Sequence, residues 1–270
     1  MNAKELLDAG QLSAAIEQLN KEVKAYPADS RLRTFLFELL CFAGDYQRAD
    51  RQLEVISHQS TSAEIGVQIY RHIIVAEQVR QRLFSDGLRP HFLLEPPSYV
   101  RLHLEAVNRL RENRPAEARA LLEESANTRP ALTGRIDGRP FSDLQDSDVL
   151  LAPFLEAIVH NNYTWLPFSQ IKRLQLAPPK RLRDLLWTQV TLETLNGPAG
   201  EVFIPVLYAG SSAHANDQIK LGRMTDWQPL GEGLARGVGQ RIFLVDDEER
   251  AILEIGEIEF DKGPSGEEVQ

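Results

Sequence analysis

Over residues 10–27, and again over residues 44–56, apolar and small side chains recur at helical spacing, and the two stretches match position by position. Gly10 aligns with Gly44, Leu12 with Tyr46, Ala15 with Ala49 and Leu19 with Leu53, each pair 34 residues apart. Each class of residue has a steric reason. A glycine or asparagine suits the left-handed turn after a first helix, and a small alanine lets two antiparallel helices approach closely. Pro27 stops the second helix. A third copy follows, in which Asn113, Pro115, Ala118, Leu122 and Pro130 take the places of Gly10, Leu12, Ala15, Leu19 and Pro27 at a constant offset of 103.

A 34-residue period is that of tetratricopeptide-like helical repeats. Here the array is irregular, because 34 residues beyond Gly44 lies Gln78, inside an unbroken helical run predicted over residues 63–84. Turn-forming residues at 85–87 and 95–97 then bound a short apolar segment, 91–94. In such an array the first helix of each pair lines a concave surface. The register puts Thr34, Glu38, Cys41 and Phe42 there from the second copy, and Val100, His103, Val107 and Arg111 from the third. These eight are the candidate partner-binding residues. Apolar pockets with a polar rim would accept an extended peptide or an amphipathic helix.

Beyond Pro130 the pattern changes, and glycines, prolines and alternating apolar residues become frequent. This predicts a helical domain over residues 1–130, an α+β domain over 131–262, and a flexible polar tail over 263–270. Ile136, between two glycines, fits a small strand or hairpin. Ser147 or Asp148 is expected to cap a helix through Val149, Phe154 and Ile158, and a short helix is expected to carry Ile171 and Leu174. Residues 187–192 alternate as a half-buried strand does, and 202–208 read as a central strand, apolar on both faces. Further strands are expected over 218–223, 240–245 and 251–260, with an acidic turn at 246–249. Short connections exclude crossover helices, so the sheet should be small and mostly antiparallel, or a partial barrel.

The chain carries 39 acidic and 30 basic residues, a formal net charge of -9, which argues against general attraction to nucleic acid or anionic lipid. A single cysteine, Cys41, excludes an internal disulfide and fits a reducing compartment. The start of the chain lacks the layout of a secretion signal, and no apolar stretch is long enough for a membrane span, so a cytoplasmic protein is expected. No chemistry is well marked. Gly231-Glu-Gly233 resembles the opening of a dinucleotide fingerprint but fails at its sixth position, Arg236, and is better read as backbone between two strands. Ser211, Ser212, His214 and Asp217 include the residue types of a hydrolase triad, without the glycine flanks of a nucleophile elbow. The histidines show no paired ligand spacing. Asp143, Asp146 and Asp148 lack the glycine and terminal glutamate of a calcium loop and are better explained by helix capping. No cofactor or metal is implied.

Several strings in the second half resemble one family. They are 146–156 (DSDVLLAPFLE), 163–167 (YTWLP), 182–187 (LRDLLW), 204–208 (IPVLY), 221–227 (LGRMTDW) and 237–241 (GVGQR). In this order, behind a repeat-containing amino-terminal half, they resemble the ImpE/TagJ proteins. That resemblance implies a non-enzymatic accessory component of the bacterial type VI secretion system. It also implies binding to the contractile sheath through an amino-terminal helix of its small subunit, TssB, with an indirect link to the ATPase ClpV. It supplies no catalytic residues. A general peptide-binding adaptor and a loop-based hydrolase are the alternatives from the residues alone.

Overall fold

In the computed structural model, which describes residues 1–58 and 61–261, helix α1 (Ala3–Asp8) opens on a reciprocal cap. The Asn2 side chain accepts from the Glu5 backbone N–H, and the Glu5 carboxylate accepts from the Asn2 N–H. Six more helices follow: α2 (Leu12–Ala25), α3 (Ser30–Phe42), α4 (Tyr46–Ser57), α5 (Thr61–Asp86), α6 (Tyr99–Arg111) and α7 (Pro115–Thr128). The repeated positions take equivalent places in three helical hairpins. Gly10, Gly44 and Asn113 turn the chain with φ of 75°, 72° and 57°, and Ala15, Ala49 and Ala118 are fully buried where paired helices meet. Asn113 is the one non-glycine of the three, and it tolerates left-handed backbone because its short side chain is not branched at Cβ. Asn113→Val is therefore expected to cost about 1–2 kcal/mol in urea unfolding, whereas Asn113→Gly should leave stability equal or slightly raised.

The strands begin at Gly134. They are β1 (Gly134–Ile136), β2 (Arg139–Phe141), β3 (Leu144–Asp146), β4 (Phe154–Val159), β5 (Asn162–Pro167), β6 (Ile171–Leu176), β7 (Trp187–Thr194), β8 (Ala199–Pro205), β9 (Thr225–Gly231), β10 (Leu234–Gly239), β11 (Ile242–Val245), β12 (Glu248–Ala251) and β13 (Glu257–Phe260), with a one-turn helix α8 (Asp217–Lys220) before β9. Eight of them form one sheet in the order β2-β1-β13-β6-β7-β8-β4-β5, with β3, β11 and β12 in a second sheet and β9–β10 a separate hairpin. Every ladder between these strands is antiparallel. The large sheet stays open, since β2 and β5 end it without pairing to each other, so it is not a closed barrel. Buried residues from both the helices and the sheets belong to one contiguous core.

The strand expected over 251–260 is broken by a 3-10 turn at Ile252–Glu254 and survives beyond it only as β13, and three further expected elements differ in type. The helix expected after Asp148 is a turn followed by β4, which is buried along almost its whole length. A strand buried on both faces shows no alternation, so its apolar run reads equally well as a helix. The helix expected at Ile171 and Leu174 is β6. A register shift between Ile171 and Arg173 turns both apolar side chains inward at a spacing of three, which imitates a helical period. The strand expected over 218–223 is α8 and its exit, capped by the Asn216 side chain on the Gln218 N–H and ended by left-handed Gly222. The expected tail over 263–270 lies outside the described residues.

Candidate functional site

The helical face expected to meet a partner is covered by the chain's own second half. Glu38, Cys41, Phe42, Val100, His103 and Val107 are all buried, Thr34 is half-buried, and Arg111 alone of the eight is exposed. Glu38 pairs with Arg183 at 3.2 Å, and Arg183 also lies over the Tyr70 ring at 4.8 Å. Cys41 and Phe42 border a narrow space closed by Leu186, Trp187 and Leu207. His103 Nε2 is 2.8 Å from the Leu150 carbonyl, and the ring meets Phe154 edge-on at 5.0 Å. Burial holds His103 neutral, with its pKa lowered to about 4. Repeat spacing places these residues on one side of the helices, and turns and strands of the second half pack against that side. A charge placed at Phe42 or Val107 would report on folding before it reported on a partner.

Behind this face runs a buried chain of charges that sequence reading did not single out. Arg80 of α5 makes two bonds to the Glu156 carboxylate of β4, at 2.8 and 2.7 Å, and one to Glu77 at 2.8 Å. Arg241 pairs with the same Glu156 and, at 3.0 Å, with Asp146 of β3. Tyr163 donates to Glu156, Trp187 Nε1 to Glu77 at 3.1 Å, and Tyr208 to Asp146 at 2.8 Å. The only signal in the sequence was a charged residue inside an apolar run, as Glu156 is among residues 149–159.

Two guanidiniums face more than two carboxyl groups, and the acid groups divide accordingly. Burial alone would raise Glu156, but Arg80 and Arg241 outweigh it and lower the carboxyl to about 2. Asp146 is raised to about 7 by burial, despite Arg241, and Asp148 to about 6 by burial despite accepting from the Leu150 and Gly237 N–H groups. Glu38 is raised to about 6 by burial. For the three raised groups the folded state binds more protons than the unfolded one. Their contribution is full below the ordinary carboxyl range and is lost as pH rises through 6 to 7. The opposite holds for Glu156, whose contribution is lost only as pH falls from the ordinary range toward 2. The melting temperature is therefore expected to be higher at pH 5 than at pH 7.5, as followed by calorimetry in buffers of equal ionic strength.

The motifs that hinted at chemistry have other roles. The Ser211 hydroxyl donates to the Tyr208 carbonyl at 2.6 Å and accepts from the Gly239 N–H at 2.8 Å, while His214 Nδ1 accepts from the Asn216 N–H. Asp217 pairs with Lys220. These contacts order a loop and build no relay from serine to histidine to carboxylate. Gly231, Glu232 and Gly233 form the left-handed tip of the β9–β10 hairpin, and a Cβ on Gly231 would press on Pro115 of α7. Asp146 and Asp148 belong to the buried network instead of capping a helix, and Asp143 holds Arg129. Among the described residues no group of three or more His, Cys, Asp or Glu is arranged to hold a metal.

An open cleft of about 740 Å³ lies where α7 faces the β9–β10 hairpin and the β3–β11 ladder. Leu122 and Ala126 of α7, Val149, Leu234, Leu244 and the Trp227 ring supply apolar walls, with His103, Asp146 and Ser147 also lining it. The buried Ser147 hydroxyl has no hydrogen-bond partner among the described residues. Arg119 ties the hairpin tip to α7, bonding Glu123 at 2.8 Å and the Glu232 carbonyl at 3.1 Å. Arg129 grips Asp143 and Gln145. The result is an apolar trough with a charged, internally paired rim, which suits burial of one face of an amphipathic segment. Trp227 and Leu234 reach it only because the hairpin folds over α7, a placement that local periodicity cannot express.

Comparison with known proteins agrees with this architecture. The fold matches the crystal structure of a Vibrio parahaemolyticus protein with a TM-score of 0.89 at 26% identity, covering 97% of this chain and 98% of that one. Residues 138–259 match the ImpE protein family. Over 261 residues, 97% of this chain and 92% of its relative, the sequence is 38% identical to the type VI secretion system accessory component TagJ of Pseudomonas aeruginosa. The chain thus belongs to the ImpE/TagJ family of type VI secretion system accessory proteins.

Proposed function

We propose that this protein is a non-enzymatic cytoplasmic adaptor of the type VI sheath. In this reading it holds an amphipathic helix of the small sheath subunit TssB in the cleft between α7 and the β9–β10 hairpin, and so influences sheath assembly or recycling by ClpV. The observation that carries the reading is the cleft itself: apolar walls around Trp227, a charged rim, and room for the side chains along one helical face. Its relative in Pseudomonas aeruginosa is named as a secretion accessory component, which directs the choice of partner. Among the described residues no helix is long and apolar enough to cross a membrane, in keeping with a role beside a cytoplasmic assembly.

Burial of apolar surface contributes roughly 25 cal/mol per Å², offset by the entropy of immobilising the helix, so affinity in roughly the micromolar range is expected. Titration calorimetry with the amino-terminal helix of the organism's own TssB tests the proposal. Saturable heat with that helix, and none with a scrambled peptide of equal composition, is the expected result. Equal binding of both peptides would favour a general peptide adaptor, and no heat with either would reject sheath binding through this helix.

A further inference from the structure

A second depression lies between α1, α3 and residues 179–185, apart from the residues that line the cleft. It is an open trough of about 520 Å³, with Leu7, Phe35, Leu182 and Leu185 as apolar walls. It shares Leu7, Leu182 and Leu185 with an enclosed pocket of about 110 Å³, closed at the inner side by Phe42, Val206 and Leu253. That inner space is lined mainly by aliphatic side chains and is of the size that one large apolar side chain fills.

The rim is basic on a protein whose net charge is -9. Lys4, Lys180 and Arg181 line the trough against one carboxylate, Asp8, which pairs with Lys4 at 3.2 Å. Lys180 and Arg181 are exposed and join none of the ion pairs found among the described residues. The nearby Asp184 carboxylate accepts from their backbone N–H groups. Helices and a short turn supply the walls, so the trough offers no strand edge for main-chain pairing, and an occupant must satisfy its own backbone.

We propose that this trough docks a second protein partner through an acidic amphipathic helix, with one large apolar anchor seated in the inner pocket between Leu7, Leu185 and Phe42. The anchor supplies affinity by burial, and the carboxylates of the partner select this rim over the otherwise acidic surface. The site is separate from the cleft assigned to the sheath helix, so both partners can be held at once.

Fluorescence anisotropy tests this with the full chain and a labelled synthetic helix that places leucines on one face and glutamates on the other. The counterpart with lysine for every glutamate is the control. The acidic helix should saturate the protein and the lysine helix should not. Lys180→Glu combined with Arg181→Glu should weaken the acidic helix about tenfold, and added salt should weaken it in the unaltered protein. Both positions are exposed, so an unchanged melting temperature will show that the variant folds. Calorimetric binding of the TssB helix should be the same in variant and parent. Equal affinity of the acidic helix for both proteins, absence of saturation, or displacement of that helix by the TssB peptide would each overturn the proposal.

Discussion

Glu156→Ala is expected to destabilise the folded protein by about 3–5 kcal/mol, the cost of leaving buried charges without their counterion. Glu156 is fully buried, and its carboxylate meets Arg80 from the helical half and Arg241 from the strand half. Removing it leaves two guanidiniums facing each other, with only Glu77 and Asp146 beside them. Water cannot compensate them without parting α5 from the sheet. Urea unfolding followed by the fluorescence of Trp165 and Trp187, which lie in or beside this network, measures the loss. Glu156→Gln keeps the shape and part of the hydrogen bonding, so it should cost less. A loss below about 1 kcal/mol for the alanine variant would match an exposed ion pair and contradict this role.

Trp227→Ala is expected to weaken the sheath helix about thirtyfold while leaving the fold in place, since truncating a central aromatic anchor commonly costs 2 kcal/mol or more. The indole is half-buried on β9, 6.0 Å from the Tyr208 ring and facing the cleft. Its remaining exposure is what a bound helix would cover. Truncation therefore removes surface from the partner contact more than from the core. Calorimetry of the variant beside the parent reads the affinity, and thermal melting confirms folding. Unchanged affinity in a folded variant would move the partner away from this cleft.

Parts of the fold that depend on local sterics were legible in the sequence. Gly10, Gly44 and Asn113 mark left-handed turns, and Ala15, Ala49 and Ala118 mark close helix contacts, because those demands act within a few residues. Strands with one covered face, such as β7, show themselves by alternation. The elements misread are those where another layer changes the pattern: β4 is covered on both faces, and β6 carries a bulge.

The site was less legible for a related reason. Arg80 and Glu156 are 76 residues apart, and Arg241 and Asp146 are 95 apart, so no spacing rule pairs them. The concave helix face was expected to meet a partner. The second half of the same chain packs on it, through contacts such as Glu38 with Arg183 and His103 with Leu150. Of the expected set, His103 reaches the cleft beside α7, together with Trp227, which the sequence marked only as a large aromatic.

Photo-crosslinking from the cleft tests the central claim most directly. Cys41 is the sole cysteine and is buried, whereas Ala126 is exposed on the cleft wall, so Ala126→Cys offers one reactive thiol for a benzophenone label. Illuminated with full-length TssB, the labelled protein should crosslink to the amino-terminal helix of that subunit, located by mass spectrometry, and a control label at exposed Glu201→Cys should not. A crosslink yield at Ala126 no higher than at Glu201, with the complex present in both samples, would contradict a sheath helix seated between α7 and the β9–β10 hairpin.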